Sequence, residues 1–457
     1  MSIRSAVPVL VSLLAMWTAS PAQSPEPRRY PAPDERMKAD MLLIVAHPDD
    51  ETAVGGLLAK AIFDDHKRVA IIYCNRGSGG GNSAGIEQST SLGAIREIEG
   101  RRAAAAFGIT NVWFLNGRDT PGQDVFQSLQ AWQHGAILED VVRLVRLTRA
   151  EIILSWLPHV VAGENHGDHQ ASGVIAVEAF DMAGDPTAFP AQVTPPRERT
   201  DINNATEGLR AWQPKKIYFF SDASRPVVAD GPAFDIAAIS PSRHKAYVEL
   251  AAALHEPHRT QADVSQAVID AERTGDFRLV KEYLEKFRLI YGKSVVPAAP
   301  KGDLFEGTGG QPAEFVRVPG YHPEARKGTT LELGGVFAFY RDFWRAHDIE
   351  RIGPIVSPAI EVAAGSYLHI PLLIRNDTSD TLLVTLTPRL HDGWKAESGG
   401  GVYRVTPGEV CPLQTFIRCP QRVTEQGEDL IWNAATGDRA VGSARLNVRL
   451  VDWALPQ

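Results

Sequence analysis

A chain of 457 residues, 44% of them hydrophobic, can bury more than one core, and two or three domains are expected. A formal charge of −8 argues against a surface built for nucleic acid or an anionic membrane. Three cysteines are too few for a disulfide-built scaffold.

At the N-terminus, Arg4, the apolar stretch Ala6 to Ala19 and the small residues Ser20-Pro21-Ala22 read as a secretory signal over residues 1–22. The stretch is short for a membrane span. Export to a periplasmic or extracellular location is therefore expected, with no stable membrane span and no lipid anchor. A Pro-rich, charged linker follows over 23–36. Strand-like and helical patterns then alternate: strand Leu42 to Ala46, helix Thr52 to Phe63, strand Val69 to Cys74, and a glycine loop at 77–81. A helix from Ile95 to Phe107, strand Asn111 to Leu115, helix Leu138 to Leu147, strand Ile152 to Trp156 and helix Gln170 to Phe180 continue the series. After a Pro-rich insertion near 184–214 come strand Lys216 to Phe220 and helical patterns at 242–254 and 277–291. This alternation implies a doubly wound, mostly parallel α/β sheet with ligands at the strands' carboxyl ends. Residues 295–328, rich in Pro and Gly, are expected to wind over the surface. From about Ser357 short alternating strands (Tyr367 to Ile374, Leu382 to Leu390, Leu413 to Arg418, Ala444 to Leu450) read as an immunoglobulin-like β-sandwich. The expected organisation is thus signal 1–22, linker 23–36, an α/β domain over 37–345, linker 346–356 and sandwich 357–457.

Two polar clusters carry the chemistry. His47-Pro48-Asp49-Asp50-Glu51 follows the first strand, and His166-Gly167-Asp168-His169 follows the strand ending at Trp156. In a parallel sheet both strand ends point to the same side. Taken singly, the first cluster suits a helix start and the second a solvated loop. Together they offer the His and Asp ligands a zinc-like ion takes, with carboxylates left over as base or orienting groups. The combination reads as a metal-dependent hydrolase.

At these residues the chain resembles the PIG-L/LmbE-like family of metal-dependent N-acetylglucosamine deacetylases, whose signature is His-Pro-Asp-Asp-x and a later His-x-Asp-His. The resemblance spans about residues 40–290 and takes in Arg76-Gly77, Ala94 to Glu97 leading to Phe107-Gly108-Ile109, and Phe114-Leu115 followed by Asp119. Gly167 stands where the family usually has proline, and the 184–214 insertion puts specificity in doubt. The resemblance implies a Rossmann-like deacetylase fold and one divalent ion, expected to be Zn2+, held by His47, Asp50 and His169. It further implies Asp49 as general base, His166 as an imidazolium proton donor and Asp168 as its orienting carboxylate. Arg96 and Asp119 would contact sugar hydroxyls, although Arg96 equally suits a helix-surface charge. Glu51 is favoured as a helix-start carboxylate. Export points to an N-acetylated sugar, glycan or envelope glycoconjugate as substrate. A metal hydrolase of a non-sugar amide or ester, or an idle glycan-binding protein, are the alternatives; oligomeric state is not legible.

Other signals are weaker. The glycines at 77–81 lack the Lys-Ser/Thr end of a phosphate loop. His255-Glu256-Pro257-His258 has the wrong spacing for a zincin and reads as a helix end, with His258 and Gln261 near the rim of the site. His66, His134 and His159 read as surface residues, and Glu164 as a solvated loop carboxylate. Trp394 and Tyr403 are candidate exposed rings for carbohydrate. Cys74 reads as a buried thiol. A Cys411–Cys419 bridge is not expected, because an intervening strand would hold the sulfurs roughly 25 Å apart at about 3.3 Å per residue.

Overall fold

A computed structural model gives the structure of the protein. It describes residues 34–160, 166–194, 209–221, 227, 229–322, 328–355 and 359–452. The expected signal, Glu164, most of the linker and the middle of the insertion lie outside these residues.

The first half alternates strand and helix: β1 Met41–Val45, α1 Gly55–Ala59, β2 Val69–Tyr73, α2 Thr90–Ala106, β3 Asn111–Phe114, α3 Val125–Ala131, α4 His134–Thr148 and β4 Ile152–Trp156. It continues with α5 Gly167–Met182, the single turn α6 Pro190–Val193, β5 Lys216–Phe220, α7 Tyr247–His255, α8 Ala262–Thr274, α9 Arg278–Leu284 and β6 Ile290–Ser294. These strands form one sheet in the order β3-β2-β1-β4-β5-β6. All pairs are parallel except β5 with β6. Every residue of β1 is buried, as a central parallel strand covered on both faces requires. Its alternate side chains divide between two cores. Leu42 and Ile44 pack with α4 and α5, whereas Met41, Leu43 and Val45 pack with α1 and α7. The chain leaves β1 toward β2 and β3, then returns to lay β4 on the other side of β1. The crevice beyond the carboxyl ends of β1 and β4 is therefore the switch point where such sheets bind ligands.

The helix expected over 277–291 ends at Leu284, and Ile290–Ser294 is instead the antiparallel edge strand. Pairing with β5, from Lys216 opposite Ser294 to Phe219 opposite Ile290, overrides the local helical pattern. Helix α8 and the later α10 Gly335–Ala346 were not read from the sequence.

The C-terminal region holds β7 Thr329–Leu333, α10, and then β8 Ala359–Ala363, β9 Tyr367–Asn376, β10 Leu382–Arg389 and β11 Lys395–Ser398. It closes with β12 Gly401–Val405, β13 Val410–Arg418, β14 Glu428–Thr436 and β15 Arg439–Val451. A five-stranded sheet (β12-β10-β14-β15-β8) and a four-stranded sheet (β11-β13-β9-β7) share one apolar core that includes Leu372, Ile374, Leu386, Trp432 and Leu446. All pairs are antiparallel except β8 with β15. The second sheet draws in Thr329–Leu333, well before the expected boundary at 357. Trp394 lies in this core with its Nε1 donating to Glu428, so its ring is not an exposed platform; Tyr403 is partly buried. All three cysteines are free thiols, and Cys74 is buried.

Candidate active site

The site begins where β1 ends. After Ala46 the chain turns sharply, and Asp49 takes the left-handed value φ 126° that side-chain-bearing residues rarely adopt. The turn is held from within. Asp50 Oδ2 accepts the amides of Ala46 (2.8 Å) and His47 (3.0 Å) and the Trp156 indole Nε1–H (2.7 Å). That leaves Asp50 Oδ1 facing His47 Nδ1 at 3.6 Å and His169 Nε2 at 3.3 Å. His169 comes from the first turn of α5 and stacks on Trp156 with ring centroids 4.0 Å apart. The three expected ligands thus converge.

The donor set fits a divalent ion. Metal bonds of about 2.0–2.2 Å in a tetrahedral site place neighbouring ligand atoms about 3.3–3.6 Å apart, which brackets the two separations seen. Burial works against the Asp50 charge, but His169 and His47 more than offset it and hold the carboxyl well below its ordinary range, so it stands ionised. The same geometry assigns the second nitrogen of His47. Its Nε2 lies 3.3 Å from Asp168 Oδ2 and 3.4 Å from Asp119 Oδ1, so Nδ1 is the nitrogen that would hold an ion, with these carboxylates orienting the ring. Ligand-capable atoms of His47, His166 and His169 also lie within 4.8 Å of one another, as do those of His47, Asp119 and Asp168.

Asp168 has a different partner from the one expected. Fully buried, it accepts from Asn75 Nδ2 (3.0 Å), Thr120 N (3.1 Å) and Thr120 Oγ1 (2.5 Å) as well as facing His47. It therefore orients His47 rather than His166. His166 sits beside both other histidines, with ring centroids 5.2 Å from His47 and 5.5 Å from His169. Burial and those two neighbours hold its imidazole below the ordinary value, against the opposing carboxylates of Asp168 and Asp119. Asp49 shifts the other way: burial and the adjacent Asp50 charge raise its carboxyl to about 7.

The two expected sugar-contact residues also do other work. Asp119 Oδ2 accepts the Gly79 amide at 2.7 Å, and although burial raises its carboxyl, His47 brings it down to about 2. Arg96 is not a surface charge, although it lines the cavity. It is buried, and its guanidinium donates to the carbonyls of Gly77 (2.7 Å) and Gly81 (2.8 Å) and to Thr260 Oγ1 (3.3 Å), pinning the glycine loop.

Several contributors were missed. Glu51 is a helix-start carboxylate, in the first turn of a 3-10 segment, but it does more than that. It is wholly buried, accepts from His258 Nε2 at 2.7 Å, and with its other oxygen accepts the Asp49 amide at 3.0 Å. Gln261 Nε2 donates to the Pro48 carbonyl at 2.7 Å, so the turn after α7 clamps the whole motif from above. His159, read as a surface residue, is buried against Val160 and Gly353 carbonyls. Trp156 and Asn75 could have been suspected, since each sits at a strand's carboxyl end facing the crevice. Gly167 is explained by proximity. Its amide donates to the Gly122 carbonyl at 2.9 Å, and an added Cβ would stand 2.9 Å from the Asp124 carbonyl oxygen. Proline would lose the first and meet the second.

His47, Asp49, Asp50, His166 and His169 open into a cavity of 570 Å³ that Arg96, Asp119, Thr120 and Phe287 also line.

A doubly wound sheet with a His–Asp ligand set at its switch point defines an α/β protein with a candidate metal centre. Residues 42–180 match the PIG-L family, described as GlcNAc-PI de-N-acetylase, so the chain carries a PIG-L domain of the LmbE-like family. It is 31% identical over 161 residues to a 1D-myo-inositol 2-acetamido-2-deoxy-alpha-D-glucopyranoside deacetylase 1 of Frankia alni, covering 32% of this chain and 55% of that protein. It is 27% identical over 214 residues to the deacetylase of the same description from Streptomyces avermitilis, covering 44% and 65%. The chain thus spans about half to two thirds of the length of these relatives. Among solved structures, N,N'-diacetylchitobiose deacetylase from Pyrococcus horikoshii aligns over 55% of this chain and 84% of its own, with 21% identity and a TM-score of 0.38.

Proposed function

We propose that the protein is an exported, metal-dependent hydrolase that removes acetyl groups from N-acetylglucosamine-type sugars or glycoconjugates. The observation that carries this is Asp50 Oδ1 lying between His47 Nδ1 and His169 Nε2 beside the half-buried Asp49, at the mouth of a cavity of sugar size. The relatives' activity on 2-acetamido sugars supports the substrate class. The N-terminal signal-like stretch supports export. An immunoglobulin-like reading of the C-terminal sheets is part of the same proposal, supported by their shared core.

His47, Asp50 and His169 would hold the ion, with Zn2+ favoured by the nitrogen and carboxylate donors. When bound, it supplies a Lewis acid that makes water acidic near neutral pH. Asp49 takes the proton of the attacking water, and the neighbouring cation favours its ionised form. Carrying that proton, Asp49 can return it to the departing amine. His166, neutral, donates a hydrogen bond to the developing oxyanion. Asp168, fixed by Asn75 and Thr120, holds the His47 ring in place.

The test is acetate release from a panel of N-acetyl sugars with and without a chelator, run alongside Asp49→Asn. Wild type should release acetate, lose it on chelation and regain it with Zn2+. The variant should keep its metal but lose at least about a hundredfold in turnover. Release unaffected by metal removal, or a fully active metal-loaded variant, would overturn the reading.

A further inference from the structure

Beside the catalytic cavity lies a second one of 330 Å³, and the two share Ala53 and Phe287 as a common wall. Its character is different. Val54 and Leu57, from the helical segment that follows the His-Pro-Asp-Asp turn, face Ile236, Leu284 and Leu289 across it, all five nearly fully buried. Among the described residues, no histidine, cysteine, serine or aspartate lines it, and the charged liners are Glu285 and Arg288, both exposed and of opposite sign.

We infer that this cavity is a subsite for a neutral apolar aglycone, so that the preferred substrate is an N-acetyl sugar carrying an alkyl or aryl group. The inference rests on the deacetylase reading for the sugar end, and the two cavities adjoin at Ala53 and Phe287, which line both. A sugar bound over the metal ligands would direct its substituent past Phe287 into apolar walls. Each buried methylene is worth about fourfold in affinity or kcat/KM, so a chain of a few carbons should be selected strongly.

The experiment measures acetate release and calorimetric binding for methyl, butyl and octyl β-glycosides of N-acetylglucosamine, the octyl compound below its micelle concentration. Wild type is compared with Ala233→Trp, a substitution at an exposed lining position that fills the cavity mouth. The expected result is a rise in kcat/KM of more than tenfold from methyl to octyl in wild type, abolished in the variant. Turnover of the methyl glycoside by the same variant preparation verifies that it is folded. Equal kcat/KM for the three glycosides, or a rise that persists in Ala233→Trp, overturns the subsite and leaves the deacetylase reading standing. If no glycoside releases acetate, the deacetylase reading fails and binding decides the subsite. Octyl binding more than tenfold tighter than methyl and lost in the variant sustains it, and equal binding overturns it.

Discussion

Asp49 occupies a backbone conformation that costs of order 1–3 kcal/mol for a residue with a side chain, and its neighbours show what maintains it. Glu51 accepts the Asp49 amide and the His258 ring at once, and Gln261 holds the Pro48 carbonyl. The clamp joins residues 207 positions apart in sequence. Removing one partner of a buried, hydrogen-bonded pair leaves the other without compensation, typically at about 3–5 kcal/mol. His258→Ala should therefore lower unfolding free energy by about that amount in denaturant titration. Glu51→Gln, which keeps an acceptor for the Asp49 amide, should cost less. Equal stability of His258→Ala and wild type would show that the clamp is not what holds the turn.

Between elements, close approach matters more than propensity. Gly173 lies in the second turn of α5, where an added Cβ would stand 2.3 Å from the Trp156 carbonyl oxygen and 3.0 Å from Pro158 N. Its absence lets α5 press against the end of β4, which is what places His169 on the face of Trp156. Gly173→Ala should destabilise by about 1–3 kcal/mol through overpacking and weaken metal retention, measured by elemental analysis after dialysis. Full metal content with unchanged stability would contradict this. A second contact is pH-sensitive. Asp64, at the end of the helical segment after β1, accepts from Ser240 Oγ (3.0 Å), Ser242 N (3.0 Å) and Tyr247 Oη (2.7 Å). Burial opposes its charge, but these hydrogen bonds outweigh it and hold the folded carboxyl below its ordinary value of 3.8. The stabilisation is therefore fully present above that unfolded value and is lost as pH falls through the lower folded one. The stability gap between wild type and Asp64→Asn should be constant from about pH 5 to 7 and shrink on further acidification. A gap that grows toward low pH would invert the assignment.

At the scale of the whole molecule, α10 and the turn after it pack into the α/β core, although β7 just before them pairs in the C-terminal sheet. Tyr340 Oη donates to Gln170 at 2.8 Å, Trp344 Nε1 donates to the Pro158 carbonyl at 2.9 Å, and Tyr340, Phe343, Ile349 and Ile352 belong to the α/β core. Those four side chains contribute about 1.5–3 kcal/mol each on burial, comparable in sum with the stability of an entire domain. A chain ending at residue 328 should consequently be insoluble or unfolded. One ending at Ile355 retains α10 and the Gly353 contact with His159, and loses the sheet partners of β7, the Gly334 amide's bond to Pro371 and the packing of Phe337 on the C-terminal core. It should keep its metal and turn over a small N-acetyl sugar within about threefold of the full chain, with a lower Tm. A soluble, metal-loaded chain ending at Ile355 that is inactive would assign the β-rich region a part in the site.

The sequence by itself determined the sheet, its parallel strands and the place of the site, because those follow from local order. Unbroken apolar runs must be buried on both faces, and each run at Leu42 to Ala46 and Ile152 to Trp156 hands directly to a polar cluster. The family resemblance of those two clusters implied His47, Asp50 and His169 as ligands, and the structure brings the three side chains together. What it could not determine is which group answers which. Asp168 turns to His47, 121 positions away, rather than to His166 nearby. His159 is buried through Gly353, 194 positions on. Arg96 ties down a glycine loop, and Trp394 is core rather than platform. Burial makes every polar group find a partner, but the partner is whichever group the packing of distant elements brings within about 3 Å. That distance is decided only when helices α5, α7 and α10 have docked on the sheet.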